Sequence, residues 1–339
     1  MMIAITGGGT GGHLVIAKAI KEELNKRDIK PIFIGSSNGQ DKAWFEHDNG
    51  FEKCYFLDTK GVVNKKGFGK ISSFLNILKK ISTVNSIFKT HEIKKVFSVG
   101  GYSAAPASFA SVLFNKQLFI HEQNCYIGNL NRLLRPFAKE FFSSYLESSK
   151  VKDYPVSLNF FEHQRVRVDI KTIIFLGGSQ GAKFINDFAL SVALELTKKG
   201  IKIIHQCGKN EYERVKNEYE KLNIDVDLFD FSQNIVEKIA IADIAISRSG
   251  ASSLWELSAN GLPAIFIPYP FSANDHQYFN AKFLTDLNLA LVYRQNEFSK
   301  ELFFDVLEDI NLKHISQNLI NLIQKDGAKK IVDTVLSLN

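Results

Sequence analysis

The strongest constraint on this chain is a plan that it states twice. "IAITGGGTGGH" (residues 3–13) and "IIFLGGSQGAKFIND" (173–187) each run a short apolar segment into a glycine cluster and then into a helix start. Glycine permits positive φ and lets a ligand approach the backbone closely. A loop joining a parallel strand to a helix also aims N–H groups at an anion, backed by about half a positive charge from the helix end. The rest of the chain fits the same plan. "IAIT", "KPIFIG", "KVFSVGG" and "QLFIHEQN" alternate with helical stretches in the first half. "TIIFLGG", "IKIIHQCG", "VDLFDF", "ADIAIS" and "LPAIFIPY" do so in the second. Their apolarity is continuous, as parallel strands covered on both faces require, and the segments between them can hold crossover helices. The pattern predicts an α/β chain of two doubly wound parallel-sheet domains.

A length of 339 residues also favours two domains over one core. The polar stretch "VKDYPVSLNFFEHQ" (151–164), with Pro155, marks the boundary, giving domains 1–156 and 157–339. The last helix is expected to pack back on the first domain. Cys54, Cys125 and Cys207 are scattered, without a CxxC or Cys/His cluster, so reduced thiols and no structural metal are expected. Met1 to Ile5 is too short an apolar stretch for a signal peptide. No apolar run approaches the ~18 residues of a spanning helix, so the chain is expected not to cross a membrane.

The formal charge of +6 is unevenly placed: nine lysines and one acid, Glu92, lie between Lys60 and Lys95. Apolar residues at Ile71, Phe74, Leu75, Leu78, Ile81, Val84 and Phe88 follow a helix face. Two readings stand. One is a helix packed on a sheet with its lysines in water; the other is a basic amphipathic surface for anionic lipid headgroups.

Gly7, Gly9 and Gly12 satisfy GxGxxG, but the dinucleotide site that this suggests also needs an acid at the end of the next strand. That strand ends "FIGSSNG", and the first acid beyond it is Asp41. A Walker lysine-hydroxyl pair is absent too. His13 stands where the loop enters its helix, and the positive helix end disfavours its protonated form. A neutral imidazole suits a general base; capping or packing the loop is the plainer role. In the second half, "GGSQGA" offers Ser179 to a diphosphate. "SRSGASSLWELSANGLP" begins another helix at Ser249 to Ser253, with Glu256 a turn further in, able to accept from two ribose hydroxyls. "NDHQYFNA" adds His276 and Gln277 as partners for sugar hydroxyls. Serine and asparagine often only cap helices, but three such starts after strand ends point to a shared ligand crevice. "DVD" (225–227) resembles a metal-binding DxD, yet it begins a predicted strand, the wrong end for such a crevice. The backbone donors could neutralise a leaving diphosphate without metal.

The motifs "GGGTGGH", "GGYSAAP", "HEQN", "GGSQGA", "RSGASSLWE", "GLPAIFIPY" and "NDHQYFNA", in this order, resemble the MurG family of bacterial glycosyltransferases. The resemblance covers nearly the whole chain. It implies a GT-B fold, two Rossmann-like domains with a cleft between them. It also implies a hexosyltransferase that moves N-acetylglucosamine from UDP-GlcNAc to the 4-hydroxyl of the N-acetylmuramic acid of lipid I. The transfer is inverting and needs no metal or other cofactor; it gives lipid II for peptidoglycan at the cytoplasmic face of the inner membrane. By the same resemblance Thr10, Gly11 and Gly12 lie near the transferred sugar and diphosphate, with His13 beside the acceptor hydroxyl. Asn124 binds the sugar, Ser179 the phosphates, Glu256 the ribose and Gln277 the sugar hydroxyls. Ala251, Ser252, Ser253, Leu254, Trp255 and Glu256 line the nucleotide pocket, Ser232 lies near the uracil, and Gly100, Gly101 and Tyr102 face the lipid diphosphate. His13 is the proposed base and Glu122 its competitor. The partners are then UDP-GlcNAc, lipid I and an anionic membrane surface, with no nucleic acid. Two departures stand out. The family has Asn-Pro-Val-Arg where this chain reads Tyr154-Pro155-Val156-Ser157, which leaves Arg165 or Arg167 as substitutes for the arginine; the family's paired glutamines become His276-Gln277. A UDP-GlcNAc 2-epimerase of GT-B type is the alternative, with the same nucleotide pocket and no lipid acceptor.

Overall fold

The computed structural model describes residues 2–59, 68–178, 181–232 and 234–338, and their side chains except over 68–78. The chain divides into two compact units, Met1–Val156 with Asp326–Asn339, and Ser157–Lys325. Each is built on a six-stranded, all-parallel sheet. In unit 1 the strands are β1 (Met2–Thr6), β2 (Ile32–Ser36), β3 (Lys53–Leu57), β4 (Ile93–Ser98), β5 (Gln117–Glu122) and β6 (Glu140–Ser143). In unit 2 they are β7 (Thr172–Leu176), β8 (Lys202–Gln206), β9 (Asp227–Phe229), β10 (Ile244–Ser247), β11 (Ala264–Phe266) and β12 (Leu291–Val292). The orders are β3-β2-β1-β4-β5-β6 and β12-β11-β10-β7-β8-β9. Both are the doubly wound order read from opposite ends, so the α/β expectation holds in both halves.

The central strands are apolar throughout because helices cover both faces: Ile3, Ala4 and Ile5 of β1 and Ile173, Ile174 and Phe175 of β7 have no exposed surface. The strands that the apolar runs did not announce are β3, β6 and β12. All three are sheet edges, and their side chains are mostly only partly buried. Edge strands need no continuous apolar run, which is why a search for such runs passes over them.

In a doubly wound sheet, ligands gather outside the carboxyl ends of the strands where the order reverses. That point lies between β1 and β4 in unit 1 and between β7 and β10 in unit 2. The first glycine cluster follows β1, "GGYSAAP" follows β4, "GGSQGA" follows β7 and "RSGASS" follows β10.

The helix Gly327–Ser337 belongs to unit 1 and packs on the helix Gly11–Asn25. Lys95, buried in β4, sends its Nζ to the carbonyls of Val335 (2.7 Å), Leu336 (3.3 Å) and Leu338 (2.6 Å). A lysine there satisfies carbonyls that a helix C-terminus leaves open and sits at its negative end. Arg27 to Asp333 (2.6 Å) and Lys330 to Asp153 (2.7 Å) hold the same helix. In the basic stretch, 60–67 lies outside the described residues. The helix Phe68–Thr90 buries Ile81, Val84, Ile87 and Phe88 in the unit 1 core, so its described half packs on the sheet.

Candidate functional site

In unit 1 the loops after β1 and β4 are joined. The Gly8 N–H donates to Gly100 O at 3.2 Å. Gly101, at φ +79, lies so close that a Cβ there would strike the Gly8 carbonyl oxygen. Asp41, fully buried, underpins the first loop by accepting from the Gly9 N–H and from Ser36 N–H (2.8 Å). Burial raises its pKa, against the pull of these donors. The first acid beyond β2 is therefore spent on the loop. Tyr102 lays its ring against Gly9 and donates its hydroxyl to Asn38 O, so it braces the loops with the group expected to face a ligand.

His13 lies in the first turn of the helix Gly11–Asn25. Its Nδ1 is 2.9 Å from Thr10 Oγ1 and its Nε2 is 2.9 Å from the Gln123 amide nitrogen. Glu122 is buried at the end of β5. Its Oε1 accepts from Asn124 N–H, and its Oε2 from Gly128 N–H and the Asn131 amide, each at 2.9 Å. Burial raises its pKa while these donors lower it. With both oxygens committed to the loop 124–131, Glu122 shapes the site and is poorly placed to take a substrate proton. Gln123, Asn131 and Asp41 join the site only through contacts 32 to 110 residues away or side-chain bonds within the loop. Gln123 is signalled in sequence only by its place inside "HEQN".

In unit 2, Gly177 N–H donates to Gln206 O (3.1 Å) and Gly181 N–H to Gly178 O (2.9 Å). Ser179 lies outside the described residues. A cavity of about 170 Å³ opens at the carboxyl ends of β7, β8 and β10, lined by Gly178, Phe231, Ile235, Arg248, Ser253 and Glu256 among others. Glu256 has no hydrogen-bond partner for its carboxylate among the described residues, and burial pushes its pKa up to about 7. Arg248 gives its guanidinium to Ile267 O and Pro268 O (2.9 Å each) and to Gln295 Oε1 (2.8 Å); burial brings its pKa down to about 10. Neither Arg248 nor Phe231 is singled out by spacing, although each lies inside a quoted motif. The helix Ala251–Ala259 divides the expected pocket residues: Ser253 and Glu256 line the cavity, whereas Ala251, Leu254 and Trp255 are buried among core side chains. The division follows the 3.6-residue helical period. Ser232 accepts from Asn234 N–H (3.1 Å), and Gln277 Oε1 accepts from Tyr269 N–H (2.9 Å).

Both substitute arginines are engaged in contacts within unit 2. Arg167 has no exposed surface and donates to the carbonyls of Arg165, Ile239, Ala242 and Asn260 and to the Asn260 side chain, its pKa lowered by burial to about 9. Arg165 pairs with Asp243 (2.7 Å) and with carbonyls 240–242. Both close the end of the helix Ile235–Ile241. Asp227 of "DVD" begins β9 and pairs with Lys238 (2.5 Å), at the opposite end from the cavity. Among the described residues no group of three or more His, Cys, Asp or Glu could hold a metal.

The model of the glycosyltransferase family 28 N-terminal domain matches residues 3–143, and that of the C-terminal domain matches 172–335. The chain belongs to glycosyltransferase family 28, in its MurG branch. A relative from Campylobacter jejuni, named UDP-N-acetylglucosamine--N-acetylmuramyl-(pentapeptide) pyrophosphoryl-undecaprenol N-acetylglucosamine transferase, is 54% identical over 99% of this chain and 98% of its own. The crystal structure of Acinetobacter baumannii MurG superposes with a TM-score of 0.82 at 25% identity, covering 99% of both chains. A putative UDP-N-acetylglucosamine 2-epimerase from Listeria monocytogenes shares the fold, with a TM-score of 0.68 at 11% identity over 99% of this chain and 95% of its own. Family 28 membership thus carries the GT-B fold of two Rossmann-like units.

Proposed function

We infer that this chain is a hexosyltransferase that moves N-acetylglucosamine from UDP-GlcNAc to lipid I and so forms lipid II, the precursor of peptidoglycan. The observation that carries this reading is the full-length match, at 54% identity, to a relative named for that transfer. In the proposed mechanism the 4-hydroxyl of N-acetylmuramic acid attacks the anomeric carbon, and UDP leaves from the opposite face in one inverting step. His13 removes the hydroxyl proton, and Thr10, Gly11, Gly12 and Asn124 border the reacting groups. The loops at Gly100 and Gly101 turn backbone toward the acceptor diphosphate. In unit 2 the cavity takes the nucleoside: Glu256 accepts from the ribose hydroxyls, Phe231 and Ser232 flank the base, and Gln277 meets the transferred sugar. Ser179 and the N-terminus of the helix Ala251–Ala259 hold the diphosphate, where the helix dipole favours the leaving charge.

The enzyme acts as a peripheral protein at the cytoplasmic face of the inner membrane and supplies the wall synthesis on which cell shape and division depend. Support comes from the lipid-linked acceptor, the lysines of 60–95, and exposed Leu113, Leu133 and Phe137 near Lys116, Arg132 and Arg135 in sequence. No described helix is long and apolar enough to cross a membrane. The test is UDP release from UDP-GlcNAc in EDTA, with and without a short-chain lipid I analogue. Acceptor-dependent release is expected. UDP-ManNAc formed without acceptor would instead indicate the epimerase.

A further inference from the structure

His13 is gripped on both ring nitrogens, and the two grips differ. Thr10, 2.9 Å from Nδ1, is exposed. Gln123, whose amide nitrogen is 2.9 Å from Nε2, is buried. An amide nitrogen only donates, so in this arrangement Nε2 accepts and Nδ1 carries the ring proton toward Thr10. The lone pair then points to the buried side, away from any substrate. Gln123 Oε1 is itself buried and has no hydrogen-bond partner. A half-turn of the amide therefore exchanges one bond to His13 for another and breaks none. After that turn Oε1 accepts from Nε2–H, and the Nδ1 lone pair faces the exposed side, where it accepts from the Thr10 hydroxyl until the acceptor hydroxyl takes that place.

We propose that Gln123 is the positioning residue that sets the tautomer of His13, its Oε1 holding Nε2–H while Nδ1 takes the proton of the acceptor hydroxyl. This rests on the reading of His13 as the base. The hydroxyl oxygen uses an electron pair to bond the anomeric carbon, the bond from that carbon to UDP breaks, and its pair leaves with UDP. The hydroxyl proton passes to Nδ1, and the imidazolium then donates from both nitrogens. A neutral amide here does what the carboxylate does behind the histidine of hydrolytic triads: it holds tautomer and orientation without itself taking the proton. The titratable groups around His13 do not compete for this role. His121 of β5 is buried, and burial together with His13 brings its pKa down to about 3. Glu122 is committed to the loop 124–131, Asp41 to the first glycine loop and the Tyr102 hydroxyl to Asn38.

The test compares Gln123→Leu, Gln123→Glu and His13→Ala by kcat and KM between roughly pH 5.5 and 9, with the short-chain lipid I analogue as acceptor. Gln123→Leu should lower kcat by roughly 10- to 100-fold, with KM for UDP-GlcNAc changed by less than about twofold. Gln123→Glu can only accept when ionised, so it should retain kcat and move the acid limb up by about one pH unit. Wild-type pH profiles in both Gln123 variants, with His13→Ala inactive, would overturn the role of Gln123 and leave His13 in place. Wild-type kcat in His13→Ala would instead overturn the base reading beneath it. Should the leucine variant fail to fold, nitrogen NMR of the His13 ring in the wild-type protein, with UDP and the acceptor analogue bound, decides. Nε2–H supports the proposal and Nδ1–H overturns it.

Discussion

Glu256 offers a measurement in which stability and donor binding must move in opposite directions with pH. Its carboxyl is raised by burial from 4.5 to about 7 at the wall of the unit 2 cavity. At 1.36 kcal/mol per pH unit, that rise corresponds to about 3 kcal/mol of stability. The folded protein holds this proton more tightly than the unfolded chain. The contribution is therefore fully present below pH 4.5 and is lost as pH rises through about 7. Glu256→Gln keeps the shape and cannot ionise. Its stability relative to the wild type should grow by about 2–3 kcal/mol between roughly pH 5 and 8, read as the difference between urea curves of the two ligand-free proteins at each pH. Donor binding runs the other way in the proposed site, where ribose hydroxyls donate to the ionised carboxylate. UDP affinity by calorimetry should rise with pH in the wild type and stay flat in the variant. The variant should bind UDP roughly 10- to 100-fold more weakly above neutral pH, the worth of hydrogen bonds to a charged acceptor. A stability difference that does not change with pH would refute the raised pKa. Tight UDP binding by Glu256→Gln would refute the ribose contact.

Three further outcomes are expected. Gly101→Ala puts a Cβ against the Gly8 carbonyl at a positive φ, which forces the two loops apart; kcat should fall by about 100-fold, while UDP affinity, assigned above by proposal to unit 2, stays within about twofold. Arg167→Ala removes a fully buried guanidinium from five acceptors; a loss of roughly 3–5 kcal/mol of stability is expected, and weaker UDP binding at unchanged stability would mean that Arg167 serves the donor after all. Lys95→Met uncaps the last helix, at about 1–3 kcal/mol; amide exchange should quicken over 327–337 and leave unit 2 unaffected, and exchange no faster there would show that the helix is held by its apolar face alone.

Much of the architecture is legible along the chain because it is written in local punctuation. A continuous apolar run followed by glycine and a helix start defines a covered parallel strand wherever it occurs, and it occurs at β1 and again at β7. The edge strands β3, β6 and β12 carry no such mark, since a half-covered strand can be half polar. The glycine motifs also fall at the carboxyl ends of β1, β4, β7 and β10, because a glycine turn joins each of these strands to the helix that follows.

What the motifs do not reveal is which side chain of a marked stretch turns outward, or what a buried charge is for. Ser253 and Glu256 face the cavity while Leu254 and Trp255 fill the core, a division set by the rotation of one helix against its sheet. By the family resemblance Arg165 and Arg167 stand in for a missing donor contact, and the fold spends both on the carbonyls at a helix end. Asp41 lies 32 residues from Gly9, whose N–H it holds, Gln123 lies 110 residues from His13, and Lys95 lies 240 from the carbonyl it caps. Sequence by itself determined the covered strands, the loops and the chemistry available at their ends, because those depend on neighbours along the chain. Tertiary structure alone decided which polar groups are free to act, because a hydrogen bond or a burial depends on whichever residue the fold brings alongside.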